Sequence, residues 1–318
     1  MTSRQTPQPP STSFEDIVAP LSFSDFVANY WNSQFCWVSG PAGRFSSLIT
    51  WPALSAILEQ DFLVPPRLKL IQNGRGVPPE RYLAPLRSGT QLFTEGLLAC
   101  LSEGATLVID SIDRLVPLIG AVAEAFEHAL RTTTTVNLYA SWPQGSGFNL
   151  HWDNQDTMIL QASGRKYWKV YAPTYPFPLQ RGNAVPKPSG DPVWHGILED
   201  GAMLYLPRGW WHVAEPLDEP SLHLTITMVP ARGVDVLQWL LERARSHLEV
   251  RMDVPRLSDA ETQKAYTAKL REAFLETLDD QALAAFFQQW DSRTPARPKL
   301  QLPLGVERHP PSGSANAE

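Results

Sequence analysis

Cysteine is almost absent from this chain of 318 residues, which contains only Cys36 and Cys100. Two cysteines without CxxC or CxxH spacing argue against a disulfide framework and offer no thiolate metal-binding motif. Long apolar runs are also missing. No stretch approaches the roughly 20 apolar residues of a membrane span, and the first residues lack the apolar core of a signal peptide. We therefore expect a protein of the reducing cytoplasm that does not enter a membrane.

Neither sign of charge is in large excess. The chain has 27 Lys and Arg against 33 Asp and Glu, and the net charge of −6 argues against general nucleic-acid binding. The glycines of SGPAGRF lack the GKS/T of a phosphate-binding loop, and GSG at 145–147 lacks the GxSxG spacing of a serine hydrolase. In contrast, hydrophobic residues make up 43% of the chain and include 11 Trp, which is ample for a core.

The organisation of the chain changes along its length. Both ends are rich in Pro and Ser, which predicts disordered tails. Between them, helical and strand patterns predict a mixed zone, a β-rich zone and a helical zone. The predicted segments are a tail at 1–14, a domain at 15–230 (mixed α/β over 15–130, barrel core over 131–230), a helical segment at 231–307 and a tail at 308–318.

The β-rich zone contains short runs of β-forming residues separated by Gly, Pro and Ser turns. The runs are TVNLYAS, NLHWD, TMILQAS, KYWKVYA, AMLYLP, WHVAE and LHLTITM. Antiparallel strands at such spacing are typical of a small barrel or sandwich. Ser163-Gly164, between two of the runs, predicts a tight hairpin turn.

Three residues of this zone form a candidate metal site. His151 and Asp153 are two apart in NLHWD, so they share one face if that run is a strand. His212 follows the turn at Pro207 and Gly209 in LPRGWWH. Two imidazoles and one carboxylate are the ligands of non-haem Fe(II) oxygenases, which keep three coordination sites for O2 and a 2-oxo acid such as 2-oxoglutarate. A core histidine and a surface carboxylate would give the same local pattern.

Lys166 is the candidate anchor for the distal carboxylate of 2-oxoglutarate. In KYWKVY it alternates with Trp168 and Val170, and a lysine on an apolar face needs an anionic partner. A surface charge on an edge strand is the alternative. Further polar side chains lie on one face of their runs and are candidates for lining the cofactor pocket: Asn137, Tyr139, His223 and Thr225.

These motifs together resemble the JmjC-type 2-oxoglutarate oxygenases, in particular the ribosomal-oxygenase-like branch and its bacterial cupin relatives. The resemblance rests on the HxD motif, the distal histidine in LPRGWWH and the lysine after the Gly-Arg turn, and it extends over about residues 20–305. It implies a mainly β core, a double-stranded β-helix of the cupin or jelly-roll type, with surrounding α-helices and a C-terminal helical segment that forms a homodimer.

The resemblance also implies a function. His151, Asp153 and His212 would bind Fe(II), and Lys166, Asn137, Tyr139, His223 and Thr225 would contact 2-oxoglutarate or substrate. O2 and 2-oxoglutarate would be consumed in hydroxylating a peptide or protein side chain, with succinate and CO2 as co-products. Ribosomal oxygenases carry a winged-helix module, for which the chain after Val234 is expected to be too short.

Other functions remain open at this stage. The same metal site would serve removal of an N-methyl group, or oxidation of a free amino acid or a natural-product intermediate. A cupin that binds a metal without catalysis is a third possibility, but such a site has no use for a buried cation at Lys166. A zinc hydrolase is disfavoured because no second carboxylate is placed as a general base.

Overall fold

A computed structural model describes residues 12–60, 63–86, 89–145, 147–180, 185–293 and 297. The helices are α1 (Phe14–Val18), α2 (Phe23–Asn29), α3 (Trp51–Leu58), α4 (Thr94–Ser102), α5 (Pro117–Leu130), α6 (Gly233–Ala244), α7 (Leu248–Arg251), α8 (Ala260–Thr277) and α9 (Ala282–Arg293). The strands are β1 (Cys36–Val38), β2 (Leu68–Gln72), β3 (Arg75–Gly76), β4 (Leu83–Leu86), β5 (Gly89–Leu92), β6 (Thr106–Ile109), β7 (Thr133–Ser141), β8 (Asp156–Ser163), β9 (Lys166–Tyr171), β10 (Trp194–Leu198), β11 (Met203–Leu206), β12 (Trp211–Pro216) and β13 (Ser221–Val229).

Two antiparallel sheets form the centre of the molecule. The larger has the order β1-β11-β8-β13-β7-β6-β2-β3, and the smaller has the order β10-β9-β12. Ile159 and Leu204 of the large sheet pack in one apolar cluster with Trp168 and Val170 of the small sheet. The two sheets therefore face each other, and this jelly-roll arrangement with helices confirms the predicted fold class.

Strand β13 shows how the sequence divides the interior. Its side chains alternate, so one face contributes Leu222, Leu224 and Ile226 to the main core, where they are buried with the helices. The other face places His223 and Thr225 in a cavity between the sheets. Thus one side of the large sheet is sealed by apolar packing, and the other is free to hold polar groups.

Helix α5 covers the apolar side of the large sheet. Its residues Ile119, Val122, Ala123 and Phe126 follow helical spacing and are almost fully buried. Burial of each large side chain contributes roughly 1.5–3 kcal/mol, so this face fixes the helix on the sheet. Pro117 in the first turn and Arg131 in a left-handed conformation mark its two ends.

Two local predictions for the β zone are wrong. NLHWD is not a strand: only His151 in it makes an isolated bridge, to His212. The turn at Gly164 is tight, with φ of +63°, but it does not close a hairpin. It carries the chain from β8 in the large sheet to β9 in the small sheet, because consecutive strands of a jelly roll often lie in opposite sheets.

The predicted N-terminal tail is also too long at its inner end. The side chain of Ser13 accepts a hydrogen bond from the backbone of Asp16, which caps α1, and Phe14 is buried in the main core. Residues 1–11 and 298–318 lie outside the described part of the chain. The remaining segment boundaries stay a prediction.

The C-terminal helices α6 to α9 form a separate small core. Trp239 and Leu240 of α6 pack against Ala282 and Phe286 of α9. After α9 the chain returns to the sheet, where Arg297 forms ion pairs with Asp113 and Glu127 and also donates to the carbonyl of Thr134. Within the described residues, the helices are all too short or too polar to cross a membrane.

Candidate active site

The three candidate metal ligands are positioned by backbone hydrogen bonds between two segments. The backbone N–H of His151 donates to the carbonyl of His212 (3.1 Å), and the N–H of His212 donates back to His151 (2.7 Å). The N–H of Gly209 donates to the carbonyl of Asp153 (2.8 Å). Residues 151–153 are thereby attached to the start of β12, although they do not form the predicted strand.

This arrangement brings the three side chains together. One ligand atom from each of His151, Asp153 and His212 lies within 4.8 Å of the others. His212 Nε2 is 3.6 Å from Asp153 Oδ2, and the centroids of the two imidazole rings are 4.3 Å apart. We refer to these three residues as the triad.

The hydrogen bonds of both imidazoles suit metal binding. His151 Nδ1 lies 2.7 Å from the carbonyl oxygen of Asn149, and His212 Nδ1 lies 3.1 Å from that of Trp210. A carbonyl oxygen can only accept, so each Nδ1 donates, and in the neutral imidazole the lone pair that binds a metal is then on Nε2. Such backbone bonds orient ligand histidines in metal sites. The triad therefore fits a divalent ion that accepts two nitrogen ligands and one oxygen ligand, such as Fe(II).

The triad opens into a cavity between the two sheets. The polar groups of its wall come from both sheets, and apolar side chains separate them. The polar wall contains Thr106, Tyr139, Ser141, Thr157, Lys166, His223 and Thr225, and the apolar wall contains Phe148, Ile159, Trp168, Ala214 and Pro216.

Lys166 lies in this wall and is 4% exposed. Its Nζ donates to Ser141 Oγ (2.8 Å) and lies 3.4 Å from His223 Nδ1. Ser141 Oγ is in turn 3.0 Å from Thr106 Oγ1. No carboxylate within the described ranges forms an ion pair with Lys166, and burial lowers its pKa from 10.5 to about 7. An anion placed beside it would stabilise the charged form of this buried ammonium.

His223 is the second buried base of the wall. Its ring stacks on that of Tyr139, with centroids 4.9 Å apart and an angle of 8° between the planes. Burial, and then the neighbouring Lys166, lower the pKa of His223 well below its usual value. The imidazole is therefore neutral near pH 7, so its Nδ1 can accept a hydrogen bond from Lys166 Nζ. A neutral ring also does not compete with Lys166 for an anion.

Most of the predicted pocket residues do line the cavity, but Asn137 does not. It shares the face of Tyr139 on β7, yet its Oδ1 accepts a hydrogen bond from the backbone of Ser111 (3.0 Å) and is used there. Ser141 also lines the cavity and was not predicted, although it is two residues beyond Tyr139 and follows from the same alternation. Thr106 was not predicted either, because it comes from a different strand and has no sequence signal.

Known proteins share this architecture. The family profile described as the JmjC domain matches residues 120–235. The chain is 28% identical over 226 residues to the bifunctional lysine-specific demethylase and histidyl-hydroxylase NO66 of Drosophila pseudoobscura pseudoobscura, covering 66% of this chain and 22% of that protein. It is 25% identical over 291 residues to ribosomal oxygenase 2 of Rattus norvegicus, covering 86% of this chain and 60% of that protein.

A solved structure supports the fold. The Escherichia coli ribosomal oxygenase YcfD in complex with cobalt and 2-oxoglutarate superposes with a TM-score of 0.57 at 16% identity, covering 90% of this chain and 74% of that one. The chain spans less than two thirds of the length of both curated relatives above. Residues 120–235 thus match the JmjC domain profile, and the chain as a whole is similar in sequence to NO66 and ribosomal oxygenase 2 and in fold to YcfD.

Proposed function

We propose that this protein is an Fe(II)- and 2-oxoglutarate-dependent dioxygenase that hydroxylates a carbon of a peptide or protein side chain, with O2 as oxidant and succinate and CO2 as co-products. The observation that carries the proposal is the presence, in one cavity, of the triad and of a buried lysine without a carboxylate partner among the described residues. A site that only binds metal would need the triad and not the lysine.

Each residue has a distinct task in this proposal. His151 and His212 would bind the ion through Nε2, and Asp153 would offset part of its charge. Fe(II) held there would supply the chemistry that activates O2 as 2-oxoglutarate loses CO2. Lys166 would bind the distal carboxylate, while Ser141 occupies one of the three Nζ donors and orients the rest.

The substrate class follows from the relatives. One is named as a lysine demethylase and histidyl hydroxylase and another as a ribosomal oxygenase, and both names describe action on protein. The cavity is partly open to solvent, which suits a side chain that enters from a larger molecule. A cytoplasmic location is consistent with such a substrate and stays part of the proposal.

A homodimer is a further part of the proposal. Helices α6, α8 and α9 carry exposed large apolar side chains that their own small core leaves uncovered: Leu237, Leu241, Leu275, Leu278, Leu283 and Phe287. A monomeric protein rarely exposes so many apolar side chains on one set of helices, and such surfaces mark interfaces.

The test is an anaerobic titration of the apo-protein with Fe(II) and 2-oxoglutarate, followed by the visible charge-transfer band of the chelated co-substrate. Wild type should show the band. His212→Ala should abolish it, and Lys166→Ala should require far more 2-oxoglutarate because the distal carboxylate loses its cation. Fe(II) binding without the band would contradict the proposal and leave a metal-binding cupin. After a positive result, peptides are screened for coupled succinate release.

A further inference from the structure

One hydrogen-bond donor in the wall of the cavity is unused. The indole Nε1–H of Trp168 has no hydrogen-bond partner among the residues that the structure describes, although the side chain is only 4% exposed. Other indoles of the chain are paired: Trp51 donates to Ser163, Trp211 to Thr174 and Trp239 to Gln289. A buried donor without a partner lowers the stability of the fold, so the unpaired N–H of Trp168 needs an explanation.

The register of the small sheet places Trp168 between the two ends of the proposed site. Along β9, Lys166, Trp168 and Val170 are buried on the same face. Opposite them on β12 stand Pro216, Ala214 and His212. Trp168 is therefore one inward-facing position from Lys166, and one from the level of the ligand His212.

Ring contacts confirm this intermediate position. The indole of Trp168 lies 6.1 Å from the imidazole of His212, nearly parallel to it, and 6.0 Å from that of His223. His223 in turn approaches Lys166. A molecule that reaches from Lys166 to the triad must pass the indole.

We propose that the indole N–H of Trp168 donates a hydrogen bond to an oxygen of the dicarboxylate held between Lys166 and the triad. The inference rests on the proposed function and assigns to it a further binding residue. An indole N–H can only donate, and an ionised carboxylate can only accept, so the two are complementary. Because the acceptor is charged and the surroundings are dry, the bond is of the stronger, charge-assisted kind.

The experiment replaces Trp168 by 3-benzothienylalanine, introduced at this one codon. This side chain keeps the two-ring shape and has sulfur where the indole has N–H. The dissociation constant for 2-oxoglutarate, from the anaerobic Fe(II) titration, should rise roughly ten- to hundredfold, the range for a lost hydrogen bond to a charged group. Fe(II) binding without co-substrate should stay unchanged, and the melting temperature of the apo-protein should not fall, because the N–H has no protein partner to lose and its removal relieves an unsatisfied buried donor. Trp168→Phe should weaken binding in the same direction.

The same replacement at Trp239 is the matched control. That indole donates to Gln289 in the C-terminal helices, so the variant should melt at a lower temperature and bind 2-oxoglutarate like wild type. An unchanged dissociation constant at position 168, or a lowered melting temperature without weaker binding, would overturn the inference and leave the proposed function intact. Absence of the charge-transfer band in wild type would overturn both.

Discussion

At the scale of single residues, Lys166 sets the chemistry of the proposed co-substrate site. Its ammonium is removed from water and lacks a carboxylate partner within the described chain, which is why its pKa falls from 10.5 to about 7. Only the protonated form attracts a dicarboxylate. The affinity of the site for 2-oxoglutarate must therefore depend on pH in a range where ordinary lysines do not titrate.

The direction of this dependence follows from proton linkage. Below pH 7 the empty site already carries the proton. Above pH 7 the Lys166 of the empty site has lost its proton and must take it up again when 2-oxoglutarate binds. The dissociation constant for 2-oxoglutarate should thus rise by up to about tenfold for each pH unit above 7, until the pKa of the occupied site is reached. Anaerobic titrations between about pH 6 and 9 would measure this.

Lys166→Arg is the matched control for the pH profile. Guanidinium stays charged over the whole range, so this variant should bind with an affinity that changes little with pH, whatever its absolute value. A flat profile in wild type would show that Lys166 remains protonated without a ligand, contrary to the effect of burial.

The sequence predicts individual residues well where strand alternation decides their direction. Lys166 with Trp168, and His223 with Thr225, face the cavity as the period of two requires. Alternation gives the face and not the distance along the strand, so Asn137 was placed in the pocket although its amide is bound to Ser111. Contacts between strands far apart in sequence, such as Thr106 with Ser141, have no local signal.

At the scale of elements, the turn between β8 and β9 determines where Lys166 lies. Gly164 has φ of +63°, and a Cβ built there would lie 2.2 Å from the carbonyl oxygen of Pro220. Any side chain at this position is thus disfavoured for two independent reasons: the backbone is left-handed, and the Cβ would clash with a rigid backbone atom. Gly164→Ala should lower the free energy of unfolding by about 2 kcal/mol or more. It should also weaken 2-oxoglutarate binding, because Lys166 follows two residues later.

Gly76→Ala provides the comparison. A Cβ at Gly76 in β3 meets no atom within 4 Å, so this variant should stay within about 0.5 kcal/mol of wild type in urea unfolding. Equal stabilities for the two variants would mean that the turn can shift at little cost, and that it does not fix the position of Lys166.

The elements that the sequence fails to predict are those formed by partners distant in the chain. NLHWD has the composition of a strand, yet its backbone makes no ladder and is bonded through His151 and Asp153 to the segment that leads into β12. The prediction that His151 and Asp153 share a face was therefore made for the wrong reason, and the triad forms through docking of the two segments. A long periodic element such as β13 was predicted because its own residues carry the whole pattern.

At the scale of the molecule, the barrel and the C-terminal helices have different surfaces. The barrel has a large apolar core between its two sheets and the covering helices. The C-terminal helices have only a small core around Trp239 and Phe286 and expose leucines on several faces. A second copy of the chain would cover these exposed leucines, and this is the physical basis of the proposed homodimer.

If the protein is a homodimer, charged residues introduced into its interface should reduce the mass measured in solution from two chains to one. Leu237 and Leu241 lie one turn apart on α6, and both are more than half exposed. Their joint replacement by Glu should leave the fold intact, because neither contributes to the small core, but should bury two charges in the interface. In light scattering after size exclusion, wild type should have twice the 35.5 kDa of one chain, and the variant should have the mass of one chain.

Leu98→Glu on α4, a residue exposed to a similar extent outside these helices, should keep the wild-type mass. A wild type that elutes as a single chain at all concentrations would contradict the homodimer, and the exposed leucines would then have to serve contact with another protein.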